Sequence, residues 1–416
     1  MDTRPAHVFF VAYNFPPDST VGSVRPFRFY RYLKELGYPC TVLTATPQPD
    51  DCPEDVLWIP DPLLGIWEKP LAAPLSAAGQ LERVIRRFVF PGGIGIIWSL
   101  RVAWRYGAVW RETARGRRPV LLTTFPPLGI LTAGLLIALR ERTLWIADFR
   151  DPLAIVTGRP FYSVFTRWMY ALLEVCVFRW AKAVIANTEE MAAVWRERYP
   201  WIRLRLRVIW NGFDPEDLPQ AEALPSRGER LIIHAGQLYE GRNPNLILWS
   251  LLRLRQAGSP EALRTRILLV GTISNSAQVD PELLRNRGVD DWLEFRKPVA
   301  KQEAMRLTSQ ADGLLLLQPQ SQIQVPAKLF EYVAIGRPIL ALVPRDSAVE
   351  RILSRAGVPY RCIYADDVPE AADRKLLEFL QLDTRPVRFS AWFEQHFNAR
   401  EQTAELASII EEICKA

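Results

Sequence analysis

Thiol chemistry is thin in this chain. Its five cysteines, Cys40, Cys52, Cys176, Cys362 and Cys414, are odd in number, widely scattered and never spaced C-x-x-C. That excludes a disulfide framework or a thiolate metal site as the organising element, and it fits a reducing compartment. Low-complexity tracts and internal sequence repeats are also missing. The opening text, MDTRPAHVFFVAYNF, holds a six-residue apolar run, too short for a signal peptide. A cytoplasmic location is therefore expected. The closest approach to a membrane span is VLLTTFPPLGILTAGLLIALR, Val120 to Arg140, and Phe125-Pro126-Pro127 interrupts it. It reads as a buried strand, a turn and then a helix.

What is present is ordinary globular text: 416 residues, 49% hydrophobic and 24% charged. That length is too great for one compact core and suits two α/β-sized domains. Charge is unevenly placed. Residues 1–215 carry 27 Lys and Arg against 19 Asp and Glu, whereas 216–416 carry 25 against 27. Much of the basic excess lies in residues 81–118, with nine basic and two acidic residues and Phe88, Phe90, Trp98, Trp104, Tyr106 and Trp110 interleaved. One reading is helices with solvated arginines over a buried aromatic face. Another is peripheral contact with anionic lipid headgroups, which would seat a cytoplasmic protein on the inner membrane face. No nucleic-acid-binding motif accompanies the charge, so nucleic acid is not an expected partner.

Apolar runs of strand length alternate with helix-like text along the whole chain. HVFFVAY, the amphipathic FRFYRYLKELG and CTVLTA make a βαβ unit. VLLTTF, TLWIADF and AKAVIANT follow, and the second half repeats the alternation with RLIIHAG, RILLVGT and DGLLLLQP. Continuous apolar strands separated by helices predict parallel sheets buried on both faces. The expected fold class is α/β, with two Rossmann-like doubly wound domains facing a cleft. The Pro-, Gly- and acid-rich stretch 210–229 marks the boundary, giving domains at 1–215 and 216–395. The C-terminal helix 396–416 is expected to pack back on the first.

In such sheets ligands sit beyond the carboxyl ends of the strands. Four strand-to-helix loops carry chemistry-bearing residues. In NFPPDSTVGSVRP, Gly22 permits close backbone approach, and Ser23 could cap the next helix or face a phosphate. In IADFRDP, Asp148, Arg150 and Asp151 crowd a strand end, either at work in a cleft or as an ion pair pinning a loop. In GQLYEGRNP, Gly236 lets a ligand approach and Arg242 offers phosphate a planar fork, although Glu240 beside it allows a mere surface pair. In VPAKLFEYVAIGRPIL, Lys328 and Glu331 lie three apart on one helical face. Together they suit the phosphates and hydroxyls of a nucleoside diphosphate, or they form only a helix-surface pair.

These four segments, taken in order, resemble the motifs of family 4 retaining glycosyltransferases, and VIWNGFDPEDL resembles the segment that leads into their second domain. ADFRDP is similar to the form found in a polysaccharide-synthesis subgroup. The resemblance implies a two-domain GT-B fold with the acceptor on the N-terminal domain and a nucleotide-sugar on the C-terminal one. By position, Glu331 would bind the ribose hydroxyls, Gly236, Arg242 and Lys328 would face the diphosphate, and Gly22 and Ser23 would lie near the phosphate or the reacting sugar. Asp148, Arg150 and Asp151 would form the catalytic group. Neither a cofactor nor an obligatory metal is expected, since cations and helix N-termini would stabilise the leaving diphosphate. The chain has no Asp-x-Asp.

Three departures from the family pattern stand out. The first of its two glutamates is replaced by Ile323, flanked by Gln322 and Gln324; Gln237 takes a position that is often Arg; and the first half has only His7, at a strand start. The expected activity is a metal-independent, retaining hexosyltransferase acting from a nucleotide-diphosphate-sugar onto a polysaccharide or lipid-linked glycan. The alternatives are a nucleotide-sugar epimerase of the same fold and a catalytically silent sugar-nucleotide-binding subunit.

Overall fold

The run Ala6–Val11 buries every one of its side chains, as a strand with helices on both faces must. The computed structural model describes residues 6–18, 20–62, 95–114, 116–154, 164–218, 228–239 and 241–415. It places this strand, β1, inside a seven-stranded sheet with β2 (Cys40–Thr44), β3 (Val56–Trp58), β4 (Arg118–Phe125), β5 (Leu144–Phe149), β6 (Ala183–Ala186) and β7 (Leu206–Val208). The order is β3-β2-β1-β4-β5-β6-β7 and every pairing is parallel. Val120 to Arg140 contributes β4 and then a separate helix after Phe125-Pro126-Pro127. Among the described residues no helix is long and apolar enough to span a membrane.

Helix α1 (Val21–Glu35) covers one face of this sheet. Helices α2 (Ile96–Thr113), α3 (Leu128–Glu141), α4 (Val164–Trp180) and α5 (Glu189–Arg198) cover the other, packing Trp98, Ile137, Phe178 and Trp195 into one cluster. The C-terminal helix Ala399–Lys415 joins α1, burying Leu406, Ile410 and Ile413 against Val8, Phe10 and Val42. Spacings of four and three put those residues on one stripe, and each contributes roughly 1.5–3 kcal/mol when fully buried.

The second sheet contains β8 (Arg230–Ala235), β9 (Thr265–Val270), β10 (Leu293–Arg296), β11 (Gly313–Leu317), β12 (Ile339–Val343) and β13 (Tyr360–Tyr364), ordered β10-β9-β8-β11-β12-β13 and again all parallel. Helices α6 (Asn245–Gln256), α7 (Lys301–Ser309), α8 (Lys328–Ile335), α9 (Ala348–Ala356), α10 (Pro369–Leu380) and α11 (Ala391–Phe397) surround it. The chain therefore forms two doubly wound α/β units. One holds residues 1–211 with 399–416 and the other 212–398. The division falls at Asn211/Gly212, inside the Pro-, Gly- and acid-rich stretch 210–229 and ahead of the expected 215/216.

Strand order reverses between β1 and β4 in the first unit, and between β8 and β11 in the second. At such a switch point the connecting loops diverge to opposite faces and leave a crevice. The loops after β8 and β11 carry Gly236, Arg242 and Lys328; those after β1, β4 and β5 carry Gly22, Pro126 and Arg150.

Candidate functional site

In the second unit, β8 ends at Gly236, whose φ of +147° is one that side chains rarely tolerate. Space demands glycine as well: a Cβ there would come within 1.3 Å of Lys328 Nζ. The lysine is the first residue of α8 and lays its ammonium directly over the Gly236 backbone. Tyr332, one turn on and fully buried, accepts a hydrogen bond from the Ala235 amide at 3.1 Å, which fixes the start of α8 against the end of β8. Burial pushes that phenol well above its ordinary pKa.

Lys328 is half-buried, and no hydrogen bond or ion pair among the described residues reaches it. Burial pushes its pKa down to about 8; Glu331 opposes the fall and Arg242 adds to it. Glu331 sits in the first turn of α8 without an ion pair to Lys328. The helix-surface pair that the i,i+3 spacing allowed is therefore not formed. Arg242 stacks its guanidinium over the Tyr239 ring at 4.4 Å and donates to the Tyr239 hydroxyl at 2.8 Å, leaving most of its donor fork unused by these contacts. Glu240 lies outside the described residues.

His234 was not singled out by sequence reasoning, although a histidine in the apolar run RLIIHA is itself a signal. It lies two residues before Gly236, hence on the same face of β8. Its Nδ1 meets the Leu315 carbonyl at 2.9 Å, and because a carbonyl only accepts, the proton is on Nδ1. Burial, reinforced by Lys328, holds its pKa down to about 3, so the ring is neutral and its buried Nε2 has no hydrogen-bond partner. After β11, the Ser321 hydroxyl accepts from the Ile323 and Gln324 amides at 3.4 and 3.1 Å, and Gln322 donates to the Arg345 carbonyl. A turn held by Ser321 thus surrounds Ile323, the position at which the resemblance implied a glutamate.

The first unit departs more from expectation. Ser23 does not cap α1: the helix starts ahead of it, and its buried hydroxyl donates to the Asp18 and Thr20 carbonyls at 2.6 and 2.8 Å. Gly22 packs on Asn14, where a Cβ would meet Nδ2 at 3.0 Å. Pro26, inside α1, has no N–H for the Gly22 carbonyl four residues back, and Arg150 Nη1 donates to that oxygen instead at 2.9 Å. Arg150 also reaches the Pro126 and Phe125 carbonyls at 2.7 and 3.3 Å. Its burial pulls the guanidinium pKa down, with Asp151 and Asp148 opposing. The residue holds three loops together.

Asp148 is fully buried. Both of its oxygens are taken by Arg25, from Nε at 2.9 Å and Nη2 at 2.8 Å. Arg25 Nη1 and Nη2 bind the Trp210 and Ile209 carbonyls at 2.6 and 2.8 Å. A carboxylate so enclosed pins the chain leaving β7 to the end of β5, which is the loop-pinning alternative left open by the sequence. Its partner Arg25, 123 residues away, was invisible in that text. Of the three residues expected to be catalytic, Asp151 alone is exposed.

Residues 24–217 match the family model described as Glycosyltransferase Family 4, a little under half of the chain. No curated protein matches the sequence. Solved structures match its fold over almost the whole length. A glycosyltransferase from Rickettsia africae ESF-5 shares 13% identity at a TM-score of 0.60, with 99% of each chain covered. Anabaena Alr3699/HepE in complex with UDP-glucose shares 13% at 0.55, covering 98% of this chain and 99% of that one. A UDP-N-acetylglucosamine 2-epimerase shares 12% at 0.52, with 99% and 96% covered. The chain thus carries that family's model over residues 24–217 and has the two-domain α/β fold, GT-B, of these structures throughout.

Proposed function

We propose that the protein is a retaining glycosyltransferase of family 4 that moves a hexose from a nucleotide-diphosphate-sugar to a polysaccharide or lipid-linked glycan acceptor. The observation that carries this reading is Lys328: an ammonium held over a glycine backbone at a switch point, at a helix N-terminus, with no ion pair or hydrogen bond among the described residues. A protein that keeps such a group tolerates its desolvation, and a diphosphate would supply the missing anion. Arg242 adds a second cation with donors to spare, and Glu331 can accept hydrogen bonds from ribose hydroxyls.

In this reading Lys328 and Arg242 stabilise the charge that develops on the departing diphosphate, and no metal is required for it. The sugar keeps its anomeric configuration through front-face attack assisted by that phosphate. Asp151, exposed just beyond β5, is the carboxylate assigned here to position the acceptor hydroxyl, with Asp148 and Arg150 shaping the loop that presents it. Ser23 and Gly22 act through loop geometry. A cytoplasmic site of action, at the inner membrane face where lipid-linked acceptors reside, completes the proposal.

Thermal unfolding with UDP, GDP, dTDP and CDP, with and without magnesium, tests it. One of the four should stabilise the protein without metal, by about 2.7 kcal/mol at a hundred times its dissociation constant, and Lys328→Ala and Glu331→Ala should each remove the effect. No stabilisation by any nucleotide at millimolar concentration refutes the donor site. The epimerase fold among the solved structures motivates a second reading, under which the nucleotide-sugar is converted in the absence of any acceptor. A silent binding subunit would take up nucleotide and turn over nothing.

A further inference from the structure

The basic aromatic segment 81–118 divides between core and surface. Residues 81–94 lie outside the described residues, while Trp98 and Tyr106 are fully buried in the core and Trp110 is half-buried. Trp104, at 71% exposure, points outward from α2. It does not stand alone. Helix α4 exposes Phe165 at 57%, Trp168 at 61%, and also Leu172 and Val175. Spacings of three, four and three make these an apolar stripe along the side of α4 opposite the buried Tyr170, Val177 and Phe178. Helix α3 lies between α2 and α4 and exposes Leu139. Between α2 and α3, Leu100, Ala103, Trp104, Leu136, Leu139 and Arg140 line a shallow trough of about 400 Å³.

Three adjacent helices therefore turn a broad apolar surface outward, where single exposed hydrophobes are the norm. Its charge is one-sided. The exposed basic residues of these helices are Arg101, Arg105 and Arg111 on α2, Arg140 on α3, and Arg167 and Arg179 on α4. Of the acidic residues on these helices, Glu174 is fully buried and Glu141 is taken by Arg111 and Arg140 at 2.9 and 3.2 Å, which leaves Glu112 alone in solvent. Tryptophan and phenylalanine between arginines, with almost no free carboxylate, is the chemistry of a surface that beds its rings at the headgroup level of an anionic bilayer.

We propose that the outer face of α2, α3 and α4 docks on anionic phospholipid, with Trp104, Phe165 and Trp168 as the inserted side chains and the arginines on phosphate headgroups. This surface belongs wholly to the first unit, so it stands or falls separately from the nucleotide site.

Flotation of the full chain with phosphatidylcholine vesicles, with and without phosphatidylglycerol, tests it without nucleotide present. The anionic vesicles should bind at least tenfold more protein at low salt, and the difference should shrink as salt screens the arginines, within a Debye length of about 10 Å at 0.1 M. The variant Trp104→Ser/Phe165→Ser/Trp168→Ser should lose about tenfold or more of its vesicle partition with nucleotide-induced stabilisation unchanged. Arg101→Glu/Arg105→Glu should lose about fivefold per arginine. No binding to anionic vesicles at low salt overturns the proposal. So does a dimer of the natural protein that the aromatic variant dissolves, since a second copy would then be the occupant.

Discussion

Replacing Lys328 by methionine should make the empty protein more stable and rob it of nucleotide. The folded chain holds the ammonium at a pKa of about 8, against 10.5 when free. At 1.36 kcal/mol per unit this disfavours the charged form by about 3 kcal/mol, and partial solvent contact lowers the effective figure to about 1–3 kcal/mol. Between pH 8 and 10.5 the unfolded chain binds the proton that the folded chain has released, so stability from this group rises with pH across that window and the penalty is complete below it. At pH 7 methionine, similar in length and apolar, should remove the penalty. In a unit of this size, where 1 kcal/mol corresponds to about 2–4 °C, that is a rise in Tm of roughly 2–12 °C. The same change deletes a charge-assisted hydrogen bond to phosphate, normally about 1.5–3 kcal/mol, or about 10–150-fold in Kd. Calorimetric unfolding of the free variant and titration with the nucleotide that stabilises the natural protein read both effects. A methionine variant that is less stable, or that binds nucleotide as before, would show that Lys328 is a satisfied structural group.

Because the empty site titrates near pH 8, nucleotide affinity should be flat below that pH and weaken by up to about tenfold per unit above it; titration calorimetry from pH 6.5 to 9.5 would show a flat profile if another group carries the phosphate. Gly236→Ala, strained at a φ of +147°, should cost the second unit about 1–3 kcal/mol and weaken nucleotide binding by at least about tenfold, since its Cβ would displace a lysine Nζ now 1.3 Å from that position; unchanged affinity would mean the ammonium acts elsewhere. Asp148→Ala strands a buried guanidinium and should destabilise the first unit by about 3–5 kcal/mol in chemical denaturation, whereas a catalytic aspartate would lose turnover with stability preserved.

The alternation of buried apolar runs with amphipathic text was enough to specify two parallel α/β units, because a strand covered on both faces has no position where a polar residue is free of cost. Lys328, Gly236 and Arg242 were legible for the related reason that a charge or a glycine beside such runs needs an explanation. Whether Lys328 paired with Glu331 was not legible: spacing puts two side chains on one face but does not say which way each extends. IADFRDP left two readings open, a working cleft or an ion pair pinning a loop, and its text could not show that Arg25, 123 residues away, encloses Asp148. The segment 81–118 shows the limit in reverse, since local sequence cannot tell Trp98, at the core, from Trp104, in solvent.

By itself, then, the sequence determined the fold class, the order of the elements and the short list of residues at the strand ends, all consequences of local periodicity and of the polarity of each side chain. Only the tertiary structure decided which of those charges are paired. Pairing depends on distances between loops remote in the chain, and it separates a buried arginine–aspartate clamp that holds a loop from a lysine with no ion pair among the described residues.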